Sequence, residues 1–120
     1  MYLNCHSFHS LRYGTIPLDK LIEEAISCGV KAMALTDINT ITGIYDFIKA
    51  CQSKKIKPLV GMEFRCNHQF RYIGLAKNAE GLAEMNRFLT EHNFSREALP
   101  LIAPEFESVF VIYTLENAPE

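Results

Sequence analysis

Side chains able to do chemistry concentrate at three places in the 120-residue chain: NCHSFH at 4–9, LTDIN at 35–39 and GMEF at 61–64. They supply His6, His9, Asp37 and Glu63. Imidazole combined with carboxylates can hold a divalent metal. The plainer reading has Asp37 accepting backbone N–H bonds within its own loop and Glu63 pairing with a lysine. His9 is either a fourth ligand or a solvated loop residue. His68 and His92 lie in polar, exposed contexts and are expected to do no chemistry. Ser7 and Ser10 sit near histidines, but no GxSxG, no P-loop and no GxGxxG occurs.

The elements that must position these groups follow from apolar spacing. Residues 1–5 read as a strand, 6–16 as a polar loop, and Pro17 opens a helix carrying Leu18, Leu21, Ile22, Ala25 and Ile26 on one face. Gly29 stops it. The run at 31–36 has the apolar character of a strand buried on both faces of a parallel sheet. Thr40 or Thr42 is expected to cap a second helix through Ile44, Phe47, Ile48 and Cys51, and LVGMEF at 59–64 is the next strand. Residues 64–69 read as a turn and 70–76 as a returning strand. Asn78 caps a third helix through Leu82, Met85, Phe88 and Leu89. Residues 94–108 are loop-like, 109–113 form a further strand, and the tail at 117–120 reads as frayed. The repeated strand–loop–helix order predicts an α/β fold whose first strands are parallel. In such folds functional groups gather at the carboxyl ends of strands, which brings the three segments to one rim.

Composition permits a packed core, with 48% hydrophobic and 22% charged residues. The net charge of -2 argues against a freestanding nucleic-acid binder. Lys49, Lys54, Lys55 and Lys57 read as a solvated face, with contact to DNA or a partner as the other reading. Cys5, Cys28, Cys51 and Cys66 form no CxxC pair and read as free thiols in a reducing, cytoplasmic setting, with Cys28 and Cys51 as small helix hydrophobes. No signal peptide or membrane span is expected.

Four phrases in order resemble the PHP domain (polymerase and histidinol phosphatase), in the version at the N-terminus of bacterial DNA polymerase III alpha subunits. They are NCHS with Ser10, Leu11, Tyr13 and Gly14; ALTDIN at 34–39; FIKACQSKKIKPLVGMEF at 47–64; and LAKNAEGL at 75–82. The likeness is carried by residues 1–90, and the whole chain, 1–120, is read as the N-terminal portion of such a domain. The resemblance implies part of a distorted (β/α) barrel of parallel strands with outer helices, incomplete at this length, whose open strand edges could pair with a second copy.

The family's ligand positions fall on Asn4 and His6, Tyr13, Ile38 and Glu63. Only His6 and Glu63 keep ligand chemistry, and Asp37 keeps a supporting place. Ile38 cannot ligate, Asn4 is a weak neutral oxygen donor, and Tyr13 would bind only as a phenolate. His9 matches no ligand position of the family. A multi-metal phosphoesterase site needs charge to hold its ions and to acidify a bound water, which two ligands do not supply. The resemblance therefore implies a degenerate metal site with no cofactor. It implies a structural or partner-docking role within a DNA-directed DNA polymerase, a nucleotidyltransferase of DNA replication. The implied partners are the rest of that polymerase chain and other replisome subunits, with DNA met through the parent protein and no membrane. The alternatives are an active phosphoesterase or 3′-5′ exonuclease using zinc, manganese or magnesium on His6, Glu63 and Asp37, with His9 as an optional further ligand, and a freestanding regulatory domain.

Overall fold

A computed structural model describes residues 1–119. Its elements run β1 (Tyr2–Cys5), α1 (Leu18–Ser27), β2 (Ala32–Leu35), α2 (Ile44–Ser53), β3 (Lys57–Cys66), β4 (Gln69–Ala76), α3 (Ala79–Ser95) and β5 (Val109–Ile112). The five strands form one sheet in chain order. β1, β2 and β3 are parallel, β4 returns antiparallel to β3, and β5 reverses again antiparallel to β4. The parallel half is the helix-crossover rhythm expected from the sequence, and β1 and β5 are the sheet's edges.

Strand alternation divides the core. Met33 and Leu35 of β2 meet Ile22 and Ala25 of α1 and Phe47 and Cys51 of α2. Met62 and Phe64 of β3 meet Tyr72, and Met85 and Leu89 of α3. Fully burying a side chain such as Phe47 or Phe64 contributes about 1.5–3 kcal/mol each. On the second face, Ala34, Ile73 and Leu75 pack with Leu59, Phe70 and Ile112. Among the described residues no helix is long and apolar enough to cross a membrane.

The local signals held where a side chain or φ angle decides them. Gly29 ends α1 at φ +70, with its N–H on the Ile26 carbonyl and that of Val30 on Ala25. The Asn78 side chain accepts from Gly81 N at 3.0 Å at the start of α3. Four expectations need correction. Residues 64–69 are not a turn: β3 continues to Cys66, and only Asn67 and His68, at φ 49 and 66, make the reversal. Neither threonine caps α2. Thr40 Oγ1 accepts from Thr42 N at 3.2 Å within the preceding loop, and Gly43 is the cap without a side-chain bond. The loop starts after α3, which carries helix to Ser95 rather than ending before residue 94. Cys28 is exposed at the end of α1 rather than packed within it, whereas Cys51 is buried, which pushes its thiol up to about 11. Glu120, the last residue of the tail, lies outside the described residues.

Candidate functional site

The rim predicted from the sequence exists, but it holds two separate carboxylate clusters. Asp37 lies just beyond β2 and is 1% exposed. Its Oδ1 accepts from the Ser7 backbone N–H and the Ser10 hydroxyl, each at 2.7 Å, and its Oδ2 accepts from the Ser7 hydroxyl at 2.7 Å. Ser10 Oγ in turn accepts from Ile38 N at 3.0 Å. Asp37 thus ties the β1–α1 loop to the β2–α2 loop. The plainer reading, backbone N–H donors from its own loop, needs correction: Asp37 does accept a backbone N–H, but that donor and both hydroxyls come from the β1–α1 loop.

Glu63 is also 1% exposed, and its partners are different. Asn4 Nδ2 donates to its Oε2 at 3.1 Å, and His6 Nε2 meets the same oxygen at 2.9 Å. An ionised carboxylate only accepts, so the imidazole proton sits on Nε2. Thr36 Oγ1 donates to Asn4 Oδ1 at 2.7 Å and orients that amide. The other oxygen, Oε1, is bound by the Arg65 Nε–H. Glu63 does pair with a cation, but with an arginine two residues along its own strand rather than a lysine. Burial pushes the Glu63 carboxyl up, while the bonds from His6, Arg65 and Asn4 outweigh it and hold the group below its ordinary value. Burial likewise pulls the Arg65 guanidinium down, and the Glu63 carboxylate turns the net shift upward.

Arg65 is held from several sides. Asn39, at φ 50, donates its Nδ2 to Arg65 O at 2.8 Å and accepts Arg65 N on its Oδ1 at 3.0 Å. The guanidinium carbon lies 4.4 Å from the centre of the Tyr13 ring, a cation–π contact. Tyr13 Oη is 2.8 Å from His68 Nδ1. His68 therefore joins the rim through an exposed contact. His9 stacks on Phe8 with ring centres 4.3 Å apart and presses on Gly43, where a Cβ would come within 2.7 Å of its ring. It makes no bond to Glu63. His92 Nδ1 meets Phe88 O at 2.9 Å, away from the rim.

This donor set does not fit a metal ion. Among the described residues no group of three or more His, Cys, Asp or Glu side chains is placed to hold one. Both Glu63 oxygens are already engaged, and the nearest charge is a guanidinium that would repel a divalent cation. Ile38 lines the rim with carbon, and Tyr13 is turned to Arg65 and His68. Arg65 is the residue that inspection of ligand types overlooks. The signal available was alternation: residues i and i+2 of a strand share a face.

Above this layer opens a cleft of about 690 Å³ between the β1–α1 loop, the β2–α2 loop and the β3–β4 hairpin. Phe8, His9, Tyr13, Ile38, Arg65 and His68 are among its walls.

The family model for the PHP domain matches residues 3–109. The chain belongs to the PHP domain family. Curated relatives of this PHP chain include an error-prone DNA polymerase of Symbiobacterium thermophilum, 34% identical over 97 residues, covering 81% of this chain and 9% of that protein. A DNA polymerase III subunit alpha of Staphylococcus aureus is 31% identical over 93 residues, covering 75% of this chain and 9% of that protein. The chain thus spans about a tenth of the length of these relatives. Among solved structures, one from Bifidobacterium adolescentis, assigned to a metal-dependent phosphoesterase, superposes with a TM-score of 0.61 at 18% identity, covering 79% of this chain and 34% of that one. An amidohydrolase from Chromobacterium violaceum, solved with sulfate and no metal, gives 0.61 at 23% identity, covering 78% and 33%. At these identities the structural likeness speaks for the fold alone.

Proposed function

We propose that this PHP chain is the N-terminal segment of a DNA polymerase III alpha-type polymerase, and that its rim performs no phosphoester hydrolysis. His6 and Glu63 are then vestigial ligand positions, Asp37 is a loop anchor, and Asn4, Tyr13 and Ile38 stand where ligands were lost. The observation that carries the reading is the Arg65–Glu63 pair, which fills the remaining anionic ligand with the protein's own cation. Hydrolysis by a metal-bound water needs an ion that acidifies that water, and an ion needs free anionic donors. The segment's role is to brace the polymerase body or dock a partner subunit, with the missing strands of a barrel supplied by later sequence and the protein residing in the cytoplasm. The relatives' names support the polymerase setting.

Two experiments test this. The reading frame downstream of Glu120 should continue into polymerase domains; a stop codon there would contradict the segment reading and favour a freestanding domain. A phosphodiesterase assay with added manganese or zinc should give no turnover above buffer. Turnover abolished by His6→Ala would establish the competing reading, an active phosphoesterase working through His6, Glu63 and Asp37.

A further inference from the structure

The Arg65 guanidinium does more than cancel Glu63. It lies between that buried carboxylate and the cleft, with its side chain 22% exposed. Arginine carries five N–H donors. Here Nε serves Glu63, Nη1 reaches His68 O at a long 3.4 Å, and Nη2 makes no hydrogen bond among the described residues. The free donors belong to a planar fork held by Glu63 on Nε and by the Tyr13 ring, while Asn39 fixes the Arg65 backbone beneath it, so a ligand would meet them pre-organised. His9 and His68 stand on the same walls, Thr42 adds a hydroxyl, and no Asp or Glu side chain lines the cleft among the described residues. The wall beyond Arg65 is apolar and aromatic: Phe8 is 47% exposed, beside Ile38. At about 690 Å³ the cleft is within the range of small-molecule sites and far larger than a bare oxyanion needs.

We propose that this cleft is a metal-independent receptor for a nucleoside monophosphate, with the Arg65 fork taking the phosphate and the exposed Phe8 ring taking the base. A guanidinium binds phosphate oxygens through parallel N–H bonds without needing an ion as bridge. A base has a π-face whatever its identity, so stacking on Phe8 gives affinity without base preference. The proposal rests on the hydrolytically silent reading of the rim, because it assigns to Arg65 the place that a catalytic ion would need. No bond is made or broken in the bound nucleotide.

Calorimetric titration of the chain with dAMP, inorganic phosphate and deoxyadenosine, all in excess EDTA, tests it. The expected order is dAMP tighter than phosphate, with deoxyadenosine weakest. Phe8→Ala should weaken dAMP about tenfold and leave phosphate unchanged. Arg65→Ala should weaken both at least tenfold. Arg65→Lys, which keeps a cation beside Glu63 and so protects the fold, should also lose most of the phosphate affinity because it lacks the fork. The proposal is overturned if dAMP gives no heat at millimolar concentration, if binding appears only when metal is added, or if Arg65→Lys binds like the wild type. Failure of binding leaves the silent reading of the rim intact. Conversion of dAMP to phosphate and nucleoside would break that reading instead, and the two failures are distinguished by assaying free phosphate in a parallel sample with manganese in place of EDTA.

Discussion

Asp37, just beyond β2, and Glu63, within the neighbouring parallel strand β3, are equally buried and are satisfied by opposite means. Asp37 is bound by neutral donors from a single loop, the Ser7 and Ser10 hydroxyls and the Ser7 amide. Glu63 is bound by an imidazole, an amide and a guanidinium drawn from β3 and from either side of the end of β1. The first arrangement is closed: every partner is buried with it or belongs to the knot. The second faces outward, because His6 and Arg65 are each about one-fifth exposed and Arg65 lines the cleft. The two buried carboxylates thus differ in whether their donors are neutral and enclosed or cationic and accessible.

The comparison breaks most visibly at Asp37. Replacement by Ala leaves two buried hydroxyls and an amide without their acceptor, at about 1–3 kcal/mol for each group. Asp37→Ala should therefore cost about 4 kcal/mol in urea unfolding, and a loss below about 1 kcal/mol would show that the two loops do not depend on it. Glu63→Gln should cost less, about 2 kcal/mol, because the partly exposed Arg65 can turn its donors to water while the amide keeps one acceptor for Asn4 or His6. Equal losses at the two positions would erase the distinction.

Acid separates the effect of charge from that of shape. The folded-state value of Glu63 lies below its unfolded one, so its contribution is fully present above about pH 4.3 and disappears as pH falls through the folded value. The stability gap between wild type and Glu63→Gln, followed by chemical denaturation from pH 6 downward, should hold to about pH 4.3 and then close. A constant gap would mean that the ionised form contributes nothing. The smallest effect is expected at Tyr13→Phe, which removes an exposed contact to His68 but keeps the ring under Arg65: about 0.5 kcal/mol or less. A loss several times larger would place Tyr13 inside the Glu63 network rather than at its margin.

Much of the scaffold is legible in the chain. The β1–α1–β2–α2–β3 order follows from apolar periodicity, and Gly29 and Asn78 announce helix ends through backbone chemistry available at those residues. The placement of His6, Asp37 and Glu63 on one rim follows from strand polarity. What stays hidden depends on partners distant in sequence. Reading 64–69 as a turn removes Arg65 from β3 and so conceals that it shares a face with Glu63. The two-residue reversal is hard to see because His68 occupies a positive-φ position where glycine is the usual signal. Ser7 and Ser10, set aside in the sequence for want of a GxSxG, gain their role only when Asp37 is seen to hold both hydroxyls. Thr40 and Thr42 look like helix caps until Thr40 is seen to turn the loop instead.

The central claim is that Arg65, and no metal ion, satisfies Glu63. Equilibrium dialysis of the chain against zinc and against manganese, with metal per chain read by mass spectrometry, tests it most directly when wild type and Glu63→Gln are run side by side. The account predicts that neither ion reaches one per chain in the wild type and that Glu63→Gln changes nothing. One ion or more per wild-type chain, lost in Glu63→Gln, would contradict it.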